Sequence, residues 1–560
     1  MGIDIGDGVF PPGASGCPTE EDKPMSIAAL SRFSIFVLCF ALLALSLTMS
    51  PGGFWGTVVV SIPVLLIMLG MWDLSQRHHA ILRNYPVIGH VRWMVELIRP
   101  EIRQYLLEDE NEATPYSRAQ RSLVYRRAKG VSADHPFGTL MDVYAEDYEF
   151  IQHSTRPIDQ PDPKSFRITI GNDQCRQPYS ASIFNISAMS FGSLSANAIR
   201  ALNKGAAMGG FYHDTGEGSV SPYHREFGGD IVWEIASGYF GCRNEDGRFD
   251  PEKFAAQAAD PQVKMIELKL SQGAKPGHGG ILPAEKVTPE IAETRGITIG
   301  RDCISPAGHS AFSTPLEMMA FIARLRELSG GKPVGFKLCI GHPWEFMAIV
   351  KAMLASGVVP DFIVVDGGEG GTGAAPVEFS DHIGTPLREG LMFVHNTLVG
   401  AGLRDRIKIG AAGRIISAFD VARVLAIGAD WTNAARGFMF ALGCIQSLSC
   451  HTNRCPTGVA TQDKLRQRAL VVPDKADRVR HFHDRTVAVL AEMLGAAGIA
   501  HPDDLKPHHI FRRVTDTQVL PFSEVLPFLK PSALIDGTCP FPHYSDNWER
   551  ARADSFDPVM

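Results

Sequence analysis

The chain has no basic stripe: 54 Lys and Arg stand against 61 Asp and Glu, a net charge of −7, which leaves no electrostatic footprint for nucleic acid. Its ten cysteines form no even, regular framework, so it does not read as a disulfide-stapled scaffold, and free thiols suit a reducing compartment. No Gly-x-Gly-x-x-Gly follows a candidate strand, which removes the fingerprint of an open dinucleotide-binding sheet. Charge itself is missing from Phe33 to Trp72, forty residues in a row. Otherwise 45% hydrophobic and 21% charged residues describe an ordinary globular composition.

Pro51-Gly52-Gly53 breaks the uncharged run near its middle, leaving two apolar halves close to the length that spans a bilayer as a helix. A cleaved signal peptide does not fit, because the preceding segment is acidic (Asp4, Asp7, Glu20, Glu21, Asp22) and the run too long. A buried core hairpin is the competing reading, but core helices usually carry a polar face. Lys23 and Arg32 precede the run and Arg77, Arg83 and Arg92 follow it, while the turn is uncharged. The positive-inside rule then puts both ends in the cytoplasm. The expectation is a two-pass hairpin in the cell inner membrane, with a cytoplasmic catalytic body.

The body alternates short β-rich runs with helical stretches. Candidate strands end in Asn185–Ser190, Gly210–Thr215, Gly238–Gly241, Ile266–Ser271, Val334–Leu338, Phe362–Asp366, Arg406–Gly410 and Asp430–Ala434. Helical periodicity falls over Ala196–Met208, Pro315–Leu328, Trp344–Ala355 and Ser417–Leu425. Eight strands alternating with helices predict an α/β fold, a closed (β/α)8 TIM barrel, preceded by the transmembrane hairpin. The expected organisation is a tail over 1–32, two membrane helices over 33–72, a wrapping subdomain over 73–175, the barrel over 176–470 and a helical, Pro-rich extension over 471–560. Catalysis in such a barrel sits at the C-terminal ends of the strands. There Gly367–Gly373, including Gly370, Gly371 and Thr372, lets the backbone approach a flat ligand or a phosphate. The turns Ala412-Gly413-Arg414 and Ala435-Arg436-Gly437 occupy the usual phosphate-gripping position, which points to a phosphorylated cofactor.

Cys444, Cys450 and Cys455 crowd into twelve residues, the last followed by Pro456. Such thiolates can converge on an inorganic cluster, and a Cys-Pro ending recurs in cluster loops. They can also bind zinc with His451 as the fourth ligand, or be three unrelated core thiols.

Ser187–Ser195, Thr215-Gly-Glu-Gly218, Gln272-Gly-Ala-Lys-Pro-Gly277, Asp366–Pro376 and the cysteine segment, in this order, resemble the FMN-binding synthase domain of glutamate synthase. The resemblance covers about 180 to about 500. It implies FMN in the barrel and a [3Fe–4S] cluster beside it, with Cys444, Cys450 and Cys455 as the ligands. It places the FMN phosphate on Gly413, Arg414 and Gly437 and the ring over Ala188-Met189-Ser190, with Gln272, Gly370, Gly371 and Thr372 also at the cofactor. Lys337 would set a cation at the ring's N1–C2 edge. The implied chemistry is reductive amination of 2-oxoglutarate with ammonia to glutamate, an oxidoreductase reaction of the CH–NH2 class. Lys275 would bind the keto acid, Arg295 its carboxylate, and Glu217 would handle the proton or the ammonia.

Where the family usually reads Lys-Pro-Gly-Glu-Gly-Gly-Gln-Leu-Pro, this chain has His278 and Ile281 in place of the carboxylate and the amide. Polar partners set discrimination strongly, so a related keto acid or another amine is an alternative substrate. No cysteine amidotransferase domain precedes the barrel and no NADPH-binding domain is visible. Ammonia would come free or from a partner, and electrons from a ferredoxin, a reductase subunit or a membrane carrier such as a quinone-linked system, which would also permit the reverse, oxidative direction. Two other readings compete: a hydroxy-acid-oxidase type of FMN barrel, which would need a catalytic histidine and no cluster, and a non-catalytic FMN/iron–sulfur electron-transfer subunit.

Overall fold

The structure, a computed structural model, describes residues 31–50, 52–111, 114–134 and 136–559. The acidic tail with Lys23 and Cys17 lies outside the described residues, as does Pro51. The chain divides into two compact units, residues 1–112 and 113–560. That boundary falls inside the stretch 73–175.

The first unit is built on two helices, α1 (Ser34–Met49) and α2 (Gly53–Ser75), packed on each other across a short turn. Both are long and apolar enough to cross a membrane. Leu47, Trp55, Leu65 and Trp72 all point outward and exposed. A helix apolar on every side that buries so little is not packed as a soluble core helix. At the end of α2 the fully buried Asp73 carboxylate accepts the Val87 backbone N–H at 2.9 Å and pairs with His90 Nε2 at 2.9 Å. His90 opens the helix α3 (Gly89–Ile102), which runs on into a π-helical turn, Arg103–Leu107.

The second unit is a closed barrel of eight parallel strands. They are β1 (Phe184–Ile186), β2 (His213–Asp214), β3 (Ile231–Ile235), β4 (Val263–Lys269), β5 (Val334–Leu338), β6 (Phe362–Asp366), β7 (Lys408–Ala412) and β8 (Trp431–Ala434). Closure is made by β8 against β1, with Thr432 opposite Phe184 and Ala434 opposite Ile186. Seven of the eight expected strands lie where the sequence places them. The third does not: it is Ile231–Ile235, and Gly238–Gly241 is a turn. Tyr239 there has φ +47° and Gly241 φ +85°, conformations no strand accepts. The Tyr239 ring is buried, and its hydroxyl accepts the Ala311 backbone N–H at 3.1 Å, so this aromatic packs across a turn.

The helices start where local chemistry starts them. Thr314 caps Pro315–Leu328 through a reciprocal capping box with Glu317, and proline fills the first helical position. Ser417 does the same with Asp420 ahead of Ala418–Ile427. The long α4 (Val472–Ala497) packs along Ala196–Gly209 and against the short helix Arg436–Leu442 that follows β8. The turns after the strands thereby stand on a rigid outer layer.

Candidate active site

The strand-end turns enclose two adjoining hollows that share Ala188, Gln272, Gly371, Ala435 and Arg436. The inner one is walled by Ala188, Gln272, Lys337, Asp366, Gly370, Gly371, Gly413 and Arg414. Gly413 (φ +156°) and Arg414 (φ +49°) turn the chain in the left-handed region. The Arg414 side chain is tied back by its Nε, which donates to the Glu369 carbonyl at 3.0 Å. A Cβ on Gly371 would come within 2.7 Å of Arg436 Nε. These close approaches leave a narrow hollow walled in part by backbone, where a side chain would not fit. Gly437 stands one residue behind the wall, packed toward Phe482 and Ile416, and Arg436 takes its place in the lining.

Lys337 rises from β5 into a buried nest of carboxylates. Its ammonium contacts Glu234 closely and Glu267 at 3.1 Å, all within the barrel interior. Asp214, Glu234 and Glu267 bring carboxylate oxygens within 4.8 Å of one another. Burial works against the charge of Lys337, but Glu234 and Glu267 overrule it and hold the ammonium well above its usual pKa. Burial lifts the Glu267 carboxyl to about 7 against the pull of Lys337, with Glu234 helping. A folded value above the unfolded 4.5 means that the stability linked to Glu267 is full below 4.5 and lost as pH rises to about 7. Glu267→Gln is therefore expected to flatten the stability–pH curve over that interval, as read by denaturant titration. Lys337→Met strands the carboxylates without a counter-ion and is expected to cost about 3–5 kcal/mol of stability.

The outer hollow is a cleft in which five cations, Lys269, Lys275, Lys286, Arg295 and Arg436, face two carboxylates, Glu217 and Glu234. Met189, Ser190 and Thr372 are on its wall. Glu217 lies 3.3 Å from Lys269 Nζ, which also donates to Gln272 Oε1 at 2.6 Å. Burial raises the Glu217 pKa, but Lys269, Lys275 and Arg295 together drive it down to about 2. Lys275 is buried and bonds to no other side chain among the described residues; burial depresses its pKa while Glu217 supports its charge. Arg295 is buried at the end of its helix, Pro289–Arg295. Its Nη2 donates to the Phe191 carbonyl at 3.0 Å, and its buried Nε has no hydrogen-bond partner among the described residues. Such an unmet donor costs about 1–3 kcal/mol unless a ligand fills it.

The cysteine segment folds over one lip of the cleft. Gln446, Leu448 and Asn453 all have positive φ, so the loop is bent tightly without glycine. Cys450 lines the cleft, and Arg436 Nη1 stands 3.8 Å from its Sγ. Lys286 clamps the loop from the other side, donating to the Cys450 carbonyl at 2.7 Å and the Ala460 carbonyl at 3.3 Å. Burial raises the Cys455 pKa, but N–H groups of Ala460, Thr457 and Val459 and the Thr457 hydroxyl bring it below the usual thiol value. His451 also lines the cleft.

The protein-family comparison matches residues 139–500 to the conserved region in glutamate synthase. The chain is 37% identical over 504 residues to the glutamate synthase large subunit-like protein YerD of Bacillus subtilis, covering 82% of this chain and 95% of that one. The chain belongs to the glutamate synthase family. It is also 35% identical over 320 residues to the archaeal-type glutamate synthase [NADPH] of Thermotoga neapolitana, covering 57% of this chain and 60% of that protein. With the glutamate synthase [NADPH] large chain of Bacillus subtilis it shares 33% identity over 352 residues, only 21% of that longer chain. Membership makes it a glutamate synthase-type oxidoreductase built on the synthase barrel.

Three residues of this glutamate synthase-family site have no role that the sequence alone suggests. Lys269 closes β4, Lys286 sits in an ordinary-looking Ala-Glu-Lys turn, and Arg436 stands beside the glycine that draws attention in the strand-eight turn. Nothing local marks them; their roles come from partners 52, 164 and 14 residues away in sequence. His278 lies outside the cleft lining, with its ring edge-on to Phe379, whereas Ile281 is part of the lining.

Proposed function

We propose that the chain reductively aminates a 2-oxo acid, 2-oxoglutarate or a close relative, with ammonia to give the amino acid, glutamate in the first case. The observation that carries this reading is the cationic cleft of Lys275, Lys269 and Arg295 around an ionised Glu217, opening directly onto the glycine-lined hollow. Arg295, with its unmet Nε, suits a substrate carboxylate, and Lys275 suits the keto oxygen or the second carboxylate. At a pKa of about 2 Glu217 is a poor proton donor near neutrality, so it is assigned to hold the ammonium or the protonated imine beside the keto carbon. Glu217→Gln should raise KM for ammonium and lower kcat together, with no change in the position of the pH optimum. A break near neutrality that disappears in the variant would contradict this role.

The lining of the inner hollow fits FMN: Gly370, Gly371 and Gly413 would give the cofactor room, Arg414 would hold its phosphate, and Lys337 would supply a cation to the reduced ring. Cys444, Cys450 and Cys455 fit a [3Fe–4S] cluster, with Arg436 between thiol and hollow. Among the described residues the thiols do not form a group within 4.8 Å. Iron content and the electron-paramagnetic signal distinguish a cluster from a zinc ion bound by these thiolates and His451. When bound, FMN would supply the hydride to the imine carbon and the cluster would pass electrons singly. The electrons would come from a ferredoxin, a reductase subunit or a membrane carrier, and the helices α1 and α2 would tether the enzyme to the inner membrane with its barrel in the cytoplasm.

Ile281 on the cleft wall favours a second substrate reading, a 2-oxo acid less polar than 2-oxoglutarate. Initial rates with a series of 2-oxo acids and ammonium separate the two. Ile281→Gln is expected to shift preference toward 2-oxoglutarate by about tenfold, one lost or gained polar contact. No change in the ratio would remove Ile281 from the specificity account.

A further inference from the structure

The helix α3 and its π turn expose many apolar side chains, and six of them fall on one face. Val91, Met94, Val95, Ile98, Tyr105 and Leu106 follow the i, i+3, i+4 spacing that aligns side chains on one face of a helix. All six are exposed, Met94 at 65% and Leu106 at 77%. Arg92, Arg99 and Arg103 recur at helical spacing along one flank of this face, with Glu96 paired to Arg99 at 3.5 Å. An apolar face of this length is not left in water without a reason. At its start the helix is anchored to the end of α2, because the buried Asp73 holds both the Val87 backbone and His90.

We propose that α3 lies in the cytoplasmic face of the same bilayer that α1 and α2 cross, apolar face toward the acyl chains and arginines toward the phosphate headgroups. Three observations select lipid as the occupant. The Asp73–His90 contact holds the start of this face against the end of the second apolar helix. Trp93 and Tyr105 on this segment are the residue types that settle at a membrane–water boundary. The polar flank carries Arg92, Arg99 and Arg103 against Glu96 and Glu101, a small net positive charge suited to anionic headgroups. The Asp73–His90 clamp then sets the elbow between crossing and surface helices.

This inference rests on the hairpin being embedded in the membrane, and the test separates the two. In full-length protein reconstituted into vesicles of mixed anionic and zwitterionic phospholipid, a photoreactive benzoylphenylalanine replaces Leu65, Met94, Ile98, Arg92 or Arg99, one at a time. Lipid adducts are expected from Leu65, Met94 and Ile98, and at least fivefold fewer from Arg92 and Arg99. Adducts at Leu65 with none at Met94 and Ile98 would keep the hairpin and overturn the surface helix. Cross-links from Ile98 into a second copy or another protein would overturn it in favour of a protein partner. No adduct at Leu65 would sink the membrane reading itself, and this inference with it.

Discussion

Cys455→Ser is expected to leave a folded, flavin-containing protein that no longer holds iron and no longer accepts electrons from a one-electron donor. The Cys455 thiol sits where three backbone N–H groups and a hydroxyl favour its thiolate, the form that ligates a metal. Serine keeps the volume but lacks the soft donor, so a three-ligand cluster loses a corner it cannot replace. Iron content and the electron-paramagnetic signal should fall to background, and donor-driven turnover with them. The glycine-lined hollow is formed by other turns, so flavin absorbance should persist. Cys539→Ser is the matched control: its Sγ lies 3.6 Å from the Phe541 carbonyl in the C-terminal extension, and iron, flavin and turnover should all be unchanged. Retention of iron by the Cys455 variant would overturn the ligand assignment.

The second large effect belongs to Arg295. On the proposed role, removing a buried guanidinium that pairs with a substrate carboxylate costs about 2–5 kcal/mol, so Arg295→Ala should lower kcat/KM for the 2-oxo acid by roughly 30- to 4,000-fold. The carboxylate is bound in ground and transition states alike, so most of the loss should appear in KM. Arg295→Lys keeps the charge but not the planar fork, and should recover only part of it. The Ala variant also empties the contacts to the Phe191 carbonyl and the Phe240 ring. Its stability is therefore measured alongside, and the Lys variant guards against a merely structural loss. Equal KM in wild type and Arg295→Ala would remove Arg295 from substrate binding.

Much of this arrangement is legible in the amino-acid sequence. Strand runs such as Val334–Leu338 and Phe362–Asp366 are short, β-branched or aromatic, and bounded by turn residues, so their positions follow from local chemistry. The two N-terminal helices are equally plain, because the uncharged run is mostly apolar and broken once by Pro51-Gly52-Gly53. The third strand fails for a local reason: Gly-Tyr-Phe-Gly at 238–241 imitates a strand end, while Ile231–Ile235 carries a glutamate in its middle. That glutamate, Glu234, is tolerated because Lys337 meets it inside the barrel, and the pair is 103 residues apart in sequence. The same holds for Arg436 and Lys286, whose meaning depends on a thiol and on carbonyls that only folding brings near. Spacing identifies groups that act with their neighbours; it says little of groups whose partners arrive from other strands.

The central claim is most directly tested by one anaerobic measurement on the full-length protein. The flavin is reduced, excess reductant is removed, and 2-oxoglutarate and ammonium are added singly and then together while flavin absorbance and amino acid are followed. The expected result is no change with either alone, and reoxidation with both, with amino acid formed in equal amount to the flavin reoxidised. Ile281 allows the same outcome to come faster with a less polar 2-oxo acid. A reduced flavin indifferent to every 2-oxo acid and ammonium pair, or a protein that carries no flavin, would contradict the account.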